Sequence, residues 1–152
     1  MDKVYVEATY KSLNKLNEEL CGDRVEIVKN DDSYFVVLSD GLGSGVKANI
    51  LSTLTSKIIS TMMFQGASIE DTVETIVHTL PVCSVRKVAY STFMILQIDY
   101  DGNAYLVEFD SPGCIFVRDG RLMNIEYNYR SIAGKEIKEA HFKVKPNDFM
   151  ML

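Results

Sequence analysis

The chain has 152 residues, enough for one domain with a buried core. Its 47% hydrophobic and 24% charged residues are those of an ordinary globular protein, and a net charge of −5 argues against a nucleic-acid or anionic-membrane surface. The longest uncharged stretches, such as residues 58–69, fall far short of the roughly 20 apolar residues of a membrane span. The start, MDKVYVEATYK, has no apolar signal region, so a cytoplasmic protein is expected.

Residues 3–9 alternate apolar and polar, the period of a half-buried strand. Residues 11–20 read as a loop or short helix. Residues 23–28 and 33–39 are strand-like, and Lys29-Asn30-Asp31-Asp32 between them is turn chemistry, which predicts a hairpin. The second run, SYFVVLS, has the apolar centre of a core strand. Asp40-Gly41-Leu42-Gly43-Ser44-Gly45 follows as a sharp glycine-rich loop. Leu51, Leu54, Ile58 and Met62 then predict one face of an amphipathic helix that Gly66 ends. A second helix starts at Ser68, which can cap it. Glu70 and Asp71 suit its first turn, Ile69, Val73, Ile76, Val77 and Leu80 form its buried stripe, and Pro81 stops it.

Strand patterns return at residues 88–99 and 104–109, joined by Tyr100-Asp101-Gly102-Asn103. Residues 114–118 and 121–126 flank Asp119-Gly120 as a further hairpin. Residues 141–144 and 148–152 read as two last strands joined by Lys145-Pro146-Asn147. Strands, a helix pair and strands again make the fold α+β with an antiparallel sheet or sandwich, not alternating βαβ. Phe149-Met150-Met151-Leu152 is an apolar strand without a cap or polar tail, which reads as a domain cut short at its C-terminus. No internal repeat or linker divides residues 1–152, so a single domain is expected.

The strongest chemical signal is the glycine loop between a core strand and a helix. A dinucleotide fingerprint fails, because Val46 stands where the third glycine is needed and no parallel sheet is predicted. A P-loop fails for lack of Gly-Lys-Ser/Thr. Two readings stay open. One is a metal site in which Asp40 gives carboxylate oxygen and Gly41 a carbonyl, donors that suit Mg²⁺ or Mn²⁺. The other is a tight strand-to-helix turn with no ligand. Asp23 opens the hairpin strand whose partner leads into Asp40, and antiparallel pairing can bring both to one sheet edge. Two such carboxylates repel unless a cation lies between them.

Other residues have plainer readings. Cys21, Cys83 and Cys114 are odd in number and widely spaced, which suits reduced thiols rather than disulfides or a zinc site. His78 reads as a boundary residue, His141 as a strand-end residue, Asp110 as a turn former, Thr92 as strand packing and Lys47 as a solvated lysine. Met62 and Met63 read as core and helix-interface residues.

Cys21-Gly22-Asp23, then Val36 to Asn49 with its Asp-Gly-x-Gly-x-Gly core, then Tyr90-Ser91-Thr92-Phe93 with Leu96 and Ile98, resemble the metal-dependent protein phosphatases. The nearest branch is that of the stage II sporulation protein E serine phosphatases, and the resemblance spans about residues 20–152. It implies an antiparallel β-sandwich flanked by helix pairs, four layers in αββα order. It implies two Mn²⁺ or Mg²⁺ ions, with Asp23 and Asp40 as carboxylate ligands and Gly41 as a carbonyl ligand. A metal-bound water would attack phosphorus, with no catalytic side chain beyond it. The implied substrate is a phosphoserine or phosphothreonine on a bacterial regulatory protein, such as an anti-sigma factor antagonist. Family members continue past a strand like residues 149–152 with further acidic metal motifs, which this sequence does not contain. The rival expectation is therefore a non-catalytic, partner-binding module of the same fold. An open terminal strand edge also makes a homodimer an expected partner state. A nucleotide-binding domain using the glycine loop is the other rival.

Overall fold

The computed structural model describes residues 3–43, 45–79 and 91–152. The expectations for Ser44, Leu80, Pro81, Cys83 and the start of the third predicted strand at residues 88–90 lie outside the described residues.

The hairpin is β1 (Asp23–Lys29) and β2 (Ser33–Gly41). Its turn is set by Asn30, whose Oδ1 accepts from the backbone of Asp32 at 2.9 Å and Ser33 at 2.8 Å. Next come α1 (Gly45–Phe64) and α2 (Ile69–Thr79). Then follow β3 (Ser91–Asp99), β4 (Asn103–Phe109), β5 (Ile115–Arg118), β6 (Arg121–Leu122), β7 (Asn128–Ile132), β8 (Lys135–Lys143) and β9 (Phe149–Met151). All pairings are antiparallel. One sheet has the order β1-β2-β3-β4-β8-β7, and a smaller one the order β6-β5-β9.

Two cores separate three layers. Alternate residues of the large sheet, including Phe35, Val37, Ile95, Val107 and Ile137, pack on Ile59 and Met63 of α1 and Val73 and Ile76 of α2. The opposite set, Met94, Leu96, Leu106 and Ala140, meets Met150 and Leu152 at the small sheet, and Phe116 of β5 lies 5.2 Å from Phe142 of β8. This is the expected α+β class with antiparallel sheets. One helix pair is present, and among the described residues no second pair covers the small sheet. Among the described residues, no helix is long and apolar enough to cross a membrane. The two sheets are also joined by Arg118 of β5. It donates to both oxygens of Asp148, at 2.8 and 2.6 Å, and to the carbonyl of Lys143 at 2.8 Å.

Several local expectations change. Residues 3–9 join no sheet. Their alternation is real, since Val4 and Val6 pack on the inter-sheet core, but the backbone bond from Val4 to the Tyr100 carbonyl at 2.8 Å does not make a ladder. The face of α1 is also rotated from the predicted one. Leu51 is buried, but Leu54 is exposed, and the buried row runs through Ala48, Ser52, Thr55, Ser56, Ile59, Ser60 and Met63. The hydroxyls there donate back to α1 carbonyls, as Thr55 does to Leu51 at 2.8 Å, so small polar side chains can be buried against the sheet. The predicted strand over residues 121–126 shortens to β6. The unpredicted β7–β8 hairpin turns at Ala133 and Gly134, both at positive φ (49° and 77°). In α2, the Ser68 hydroxyl caps as expected, accepting from the Asp71 backbone at 3.1 Å.

Candidate metal centre

The site is built from the ends of neighbouring strands. Asp23 of β1 stands opposite Asp40 of β2, and Asp40 stands opposite Thr92 of β3. Asp110 follows the last residue of β4 in a left-handed conformation, φ 50°. These four residues, with Gly41, Gly43 and Gly45, line one cavity of about 340 Å³. Another part of its wall comes from the segment before β1, through Leu13, Lys15, Glu18, Leu20 and Cys21. That segment is tied to α1 by Asn49, whose Nδ2 donates to the Cys21 carbonyl at 2.9 Å.

The loop must be glycine at 41 for a packing reason. A Cβ there would lie 2.0 Å from the carbonyl oxygen of Ala48, so the end of β2 and the first turns of α1 meet backbone to backbone. The strand end and helix start are thereby held at the rim of the cavity. Glu18 sits against the other end of the loop, its Oε2 2.7 Å from where a Gly45 Cβ would be. A carboxylate there suits the positive N-terminal end of α1.

The carboxylates feel each other. The Asp40 carboxyl is pushed up to about 6, first by partial burial and then by the hydrogen bond and negative charge of Asp23, with Lys15 acting in the opposite direction. Behind the cavity, fully buried Glu108 braces the turn that carries Asp110. Its Oε1 accepts from the Tyr127 hydroxyl at 2.7 Å and the Cys114 backbone at 3.2 Å, while Oε2 has no partner. Burial, and secondarily the Glu108 charge, pushes the Cys114 thiol up to about 11. Cys21 and Cys114 are both free thiols.

Of the sequence-predicted site residues, Asp23, Asp40 and Gly41 come together on this cavity. Asp110 and Thr92, read from the sequence as a turn former and as packing, line it too. Lys15 carried no signal. His78 and His141 do not line it. His78 is exposed on the last turn of α2, and His141 stacks on Tyr105 with ring centroids 4.4 Å apart. Lys47 is exposed on α1 and is also absent from the described lining.

The donor set is all oxygen, which suits Mg²⁺ or Mn²⁺ rather than a soft metal. Repulsion between two facing carboxylates is relieved by a divalent cation, and Mg²⁺ commonly takes only one or two carboxylates and keeps several waters. The pair therefore fits such an ion. Among the described residues, no group of three or more His, Cys, Asp or Glu side chains is arranged to hold one.

The sequence pattern of the stage II sporulation protein E (SpoIIE) family matches residues 30–152. No curated protein matches. Among solved structures, the chain is similar to the PP2C phosphatase domain, with a fragment of the regulatory domain, of the cell fate determinant SpoIIE from Bacillus subtilis. The identity is 20% and the TM-score 0.77, over 92% of this chain and 43% of that one. It is similar to the RsbU and RsbW domains of Rv1364c from Mycobacterium tuberculosis, at 15% identity and TM-score 0.72, over 90% of this chain and 40% of that one. RsbX in complex with magnesium matches at 19% identity and TM-score 0.69, over 92% of this chain and 69% of that one. These likenesses establish the fold. The chain spans less than half the length of the Bacillus subtilis SpoIIE chain it matches.

Proposed function

The chain belongs to the stage II sporulation protein E family, and from that membership we propose that residues 1–152 form one domain of a metal-dependent serine/threonine protein phosphatase. The substrate would be a phosphoserine or phosphothreonine on a bacterial regulatory protein, such as an anti-sigma factor antagonist, in the cytoplasm. The observation that carries this reading is the facing pair Asp23 and Asp40 on one cavity, with the Asp40 carboxyl raised in proton affinity beside Asp23.

In this reading the side chains of Asp23 and Asp40 and the carbonyl of Gly41 hold Mn²⁺ or Mg²⁺. Such an ion, when bound, supplies an acidified water and neutralises charge on the phosphoryl group. The β1–β2 ladder fixes the two carboxylates in register, so little freedom is lost when they converge on a cation. Thr92 and Asp110 line the same cavity and offer a hydroxyl and a carboxylate to water. No side chain is assigned as nucleophile.

The test is a thermal-shift titration with Mn²⁺ on wild type and Asp40→Ala, followed by phosphate release from phosphoserine peptides. A ligand that binds the native state alone raises the melting temperature. A wild-type rise that disappears in Asp40→Ala, with Mn²⁺-dependent phosphate release, supports the reading. No rise in either protein defeats it.

One observation favours a second reading, a non-catalytic module that binds and regulates a partner. Among the described residues, no third His, Cys, Asp or Glu joins the pair to complete a metal shell. Mn²⁺ binding without phosphate release from any phosphopeptide would favour that module.

A further inference from the structure

The cavity presents a difficulty for a phosphorylated substrate. Asp23, Asp40, Asp110 and Glu18 all line it, and a phosphate dianion must enter the same space. Among the described lining residues, Lys15 is the one base. Its positive charge reaches Asp40, on which it acts against Asp23 and burial.

Lys15 is carried by a braced turn. The Glu18 backbone donates to the Lys15 carbonyl at 3.0 Å, and Asn14 Nδ2 to the Glu19 carbonyl at 2.9 Å. The Cys21 thiol points its hydrogen bond to the Leu13 carbonyl at 3.5 Å, and Asn49 of α1 holds the Cys21 carbonyl. The base of this wall is thus fastened to the helix that starts at the glycine loop. The wall also precedes residues 30–152, the part that matches the family pattern. The cation facing the carboxylates therefore comes from sequence outside that pattern.

We propose that Lys15 is the phosphate-receiving residue of this cavity, its ammonium pairing with a non-bridging oxygen of the substrate's phosphoryl group across from Asp23 and Asp40. The inference rests on the phosphatase reading and adds to it the residue that admits the dianion. An ammonium offers three rotatable donors and a compact charge, and charge-assisted bonds to phosphate oxygens are the stronger kind. A flexible stem on a fixed turn lets that charge follow the phosphoryl group as it enters.

The experiment is calorimetric titration of inorganic phosphate into the Mg²⁺-loaded chain, preceded by titration of Mg²⁺ alone. Lys15→Ala should weaken phosphate binding about 10-fold, the scale of one charge-assisted hydrogen bond. Lys15→Arg should restore most of it. Lys11→Ala, on the same segment but outside the cavity lining, should leave it unchanged. Mg²⁺ binding should be equal or tighter in Lys15→Ala, because a positive neighbour of Asp40 has gone. Phosphate binding that is equal in wild type and Lys15→Ala, or absent from Mg²⁺-loaded wild type, would overturn the assignment. So would parallel loss of Mg²⁺ and phosphate binding, the mark of a merely structural lysine. Failure of wild type to bind Mg²⁺ is a separate result, read in the first titration, and removes the metal-centre reading together with the inference resting on it.

Discussion

Gly41 and Ala48 touch through their backbones: a methyl group on Gly41 would fall 2.0 Å from the Ala48 carbonyl oxygen and 2.7 Å from its carbon. No side-chain rearrangement relieves that overlap, because the obstacle is the first turns of α1. Gly41→Ala should therefore destabilise the protein by about 3 kcal/mol, at the upper end of overpacking costs. Gly43 has open space but φ 99°, so Gly43→Ala should cost about 1 kcal/mol through backbone strain alone. Urea unfolding midpoints measure both, and an unshifted midpoint for Gly41→Ala contradicts the contact.

Asp40 gives a pH signature with a definite sign. Its folded-state value is raised from 3.8 to about 6, so the native state holds this proton more tightly than the unfolded chain does. The stability this confers is complete below 3.8 and is lost as pH rises through about 6. In chelator, wild type should lose stability relative to Asp40→Asn over that interval. A two-unit shift corresponds to about 3 kcal/mol at most, and solvent screening of this exposed carboxyl reduces the expected difference to about 1 kcal/mol. Melting temperatures taken across the interval check it, and a wild type that gains on Asp40→Asn with rising pH has the wrong sign.

Asp148 shows the opposite behaviour. The hydrogen bonds from Arg118 hold its carboxyl below the usual carboxylate range. Its contribution is full above that range and is lost as pH falls through the lowered value. Arg118→Met should remove this protection and raise the acid-unfolding midpoint by roughly half a pH unit. The variant's midpoint at neutral pH in urea is the control for loss of packing, and equal acid midpoints would show that the pair has no role in linking the sheets.

Glu108 is fully buried, and one of its oxygens has no partner. Burying a carboxylate in that state costs more than burying an amide. Glu108→Gln keeps an acceptor for Cys114 and Tyr127 and should be more stable than wild type by about 1 kcal/mol. Glu108→Ala leaves those two donors unsatisfied and should cost about 2 kcal/mol. Equilibrium unfolding of the two variants decides it, and a Gln variant as unstable as the Ala variant would mean that the carboxylate is needed as such.

How much of this was legible in the sequence depends on how local each signal is. Asp23 and Asp40 could be paired because both lie at the ends of two strands joined by a short Asn30 turn. Gly41 could be singled out, although the reason for it, the Ala48 backbone, lies across the loop. Thr92 and Asp110 lie at the open end of the β3–β4 hairpin, which reaches the cavity only through the long-range pairing of β3 with β2, so their local appearance as packing and turn residues gave no hint. Lys15 lies on irregular chain, where no periodicity marks an inward side. The buried face of α1 was hidden because Ser52, Thr55, Ser56 and Ser60 count as polar until their hydroxyls are seen bonded to the helix. The strand β7 was missed because Asn128–Ile132 is mostly exposed and polar, and its turn uses an alanine at positive φ.

The pairing of Asp23 with Asp40 also bears on the order of folding. Both belong to a single hairpin, an element that closes in roughly 1–10 μs, whereas the strands bearing Thr92 and Asp110 join through slower, non-local contacts. Repulsion between the two acids is therefore felt early, while the nascent sheet is still short. A cation held between them would act on the folding rate, lifting the refolding arm of the chevron instead of only lowering the unfolding arm.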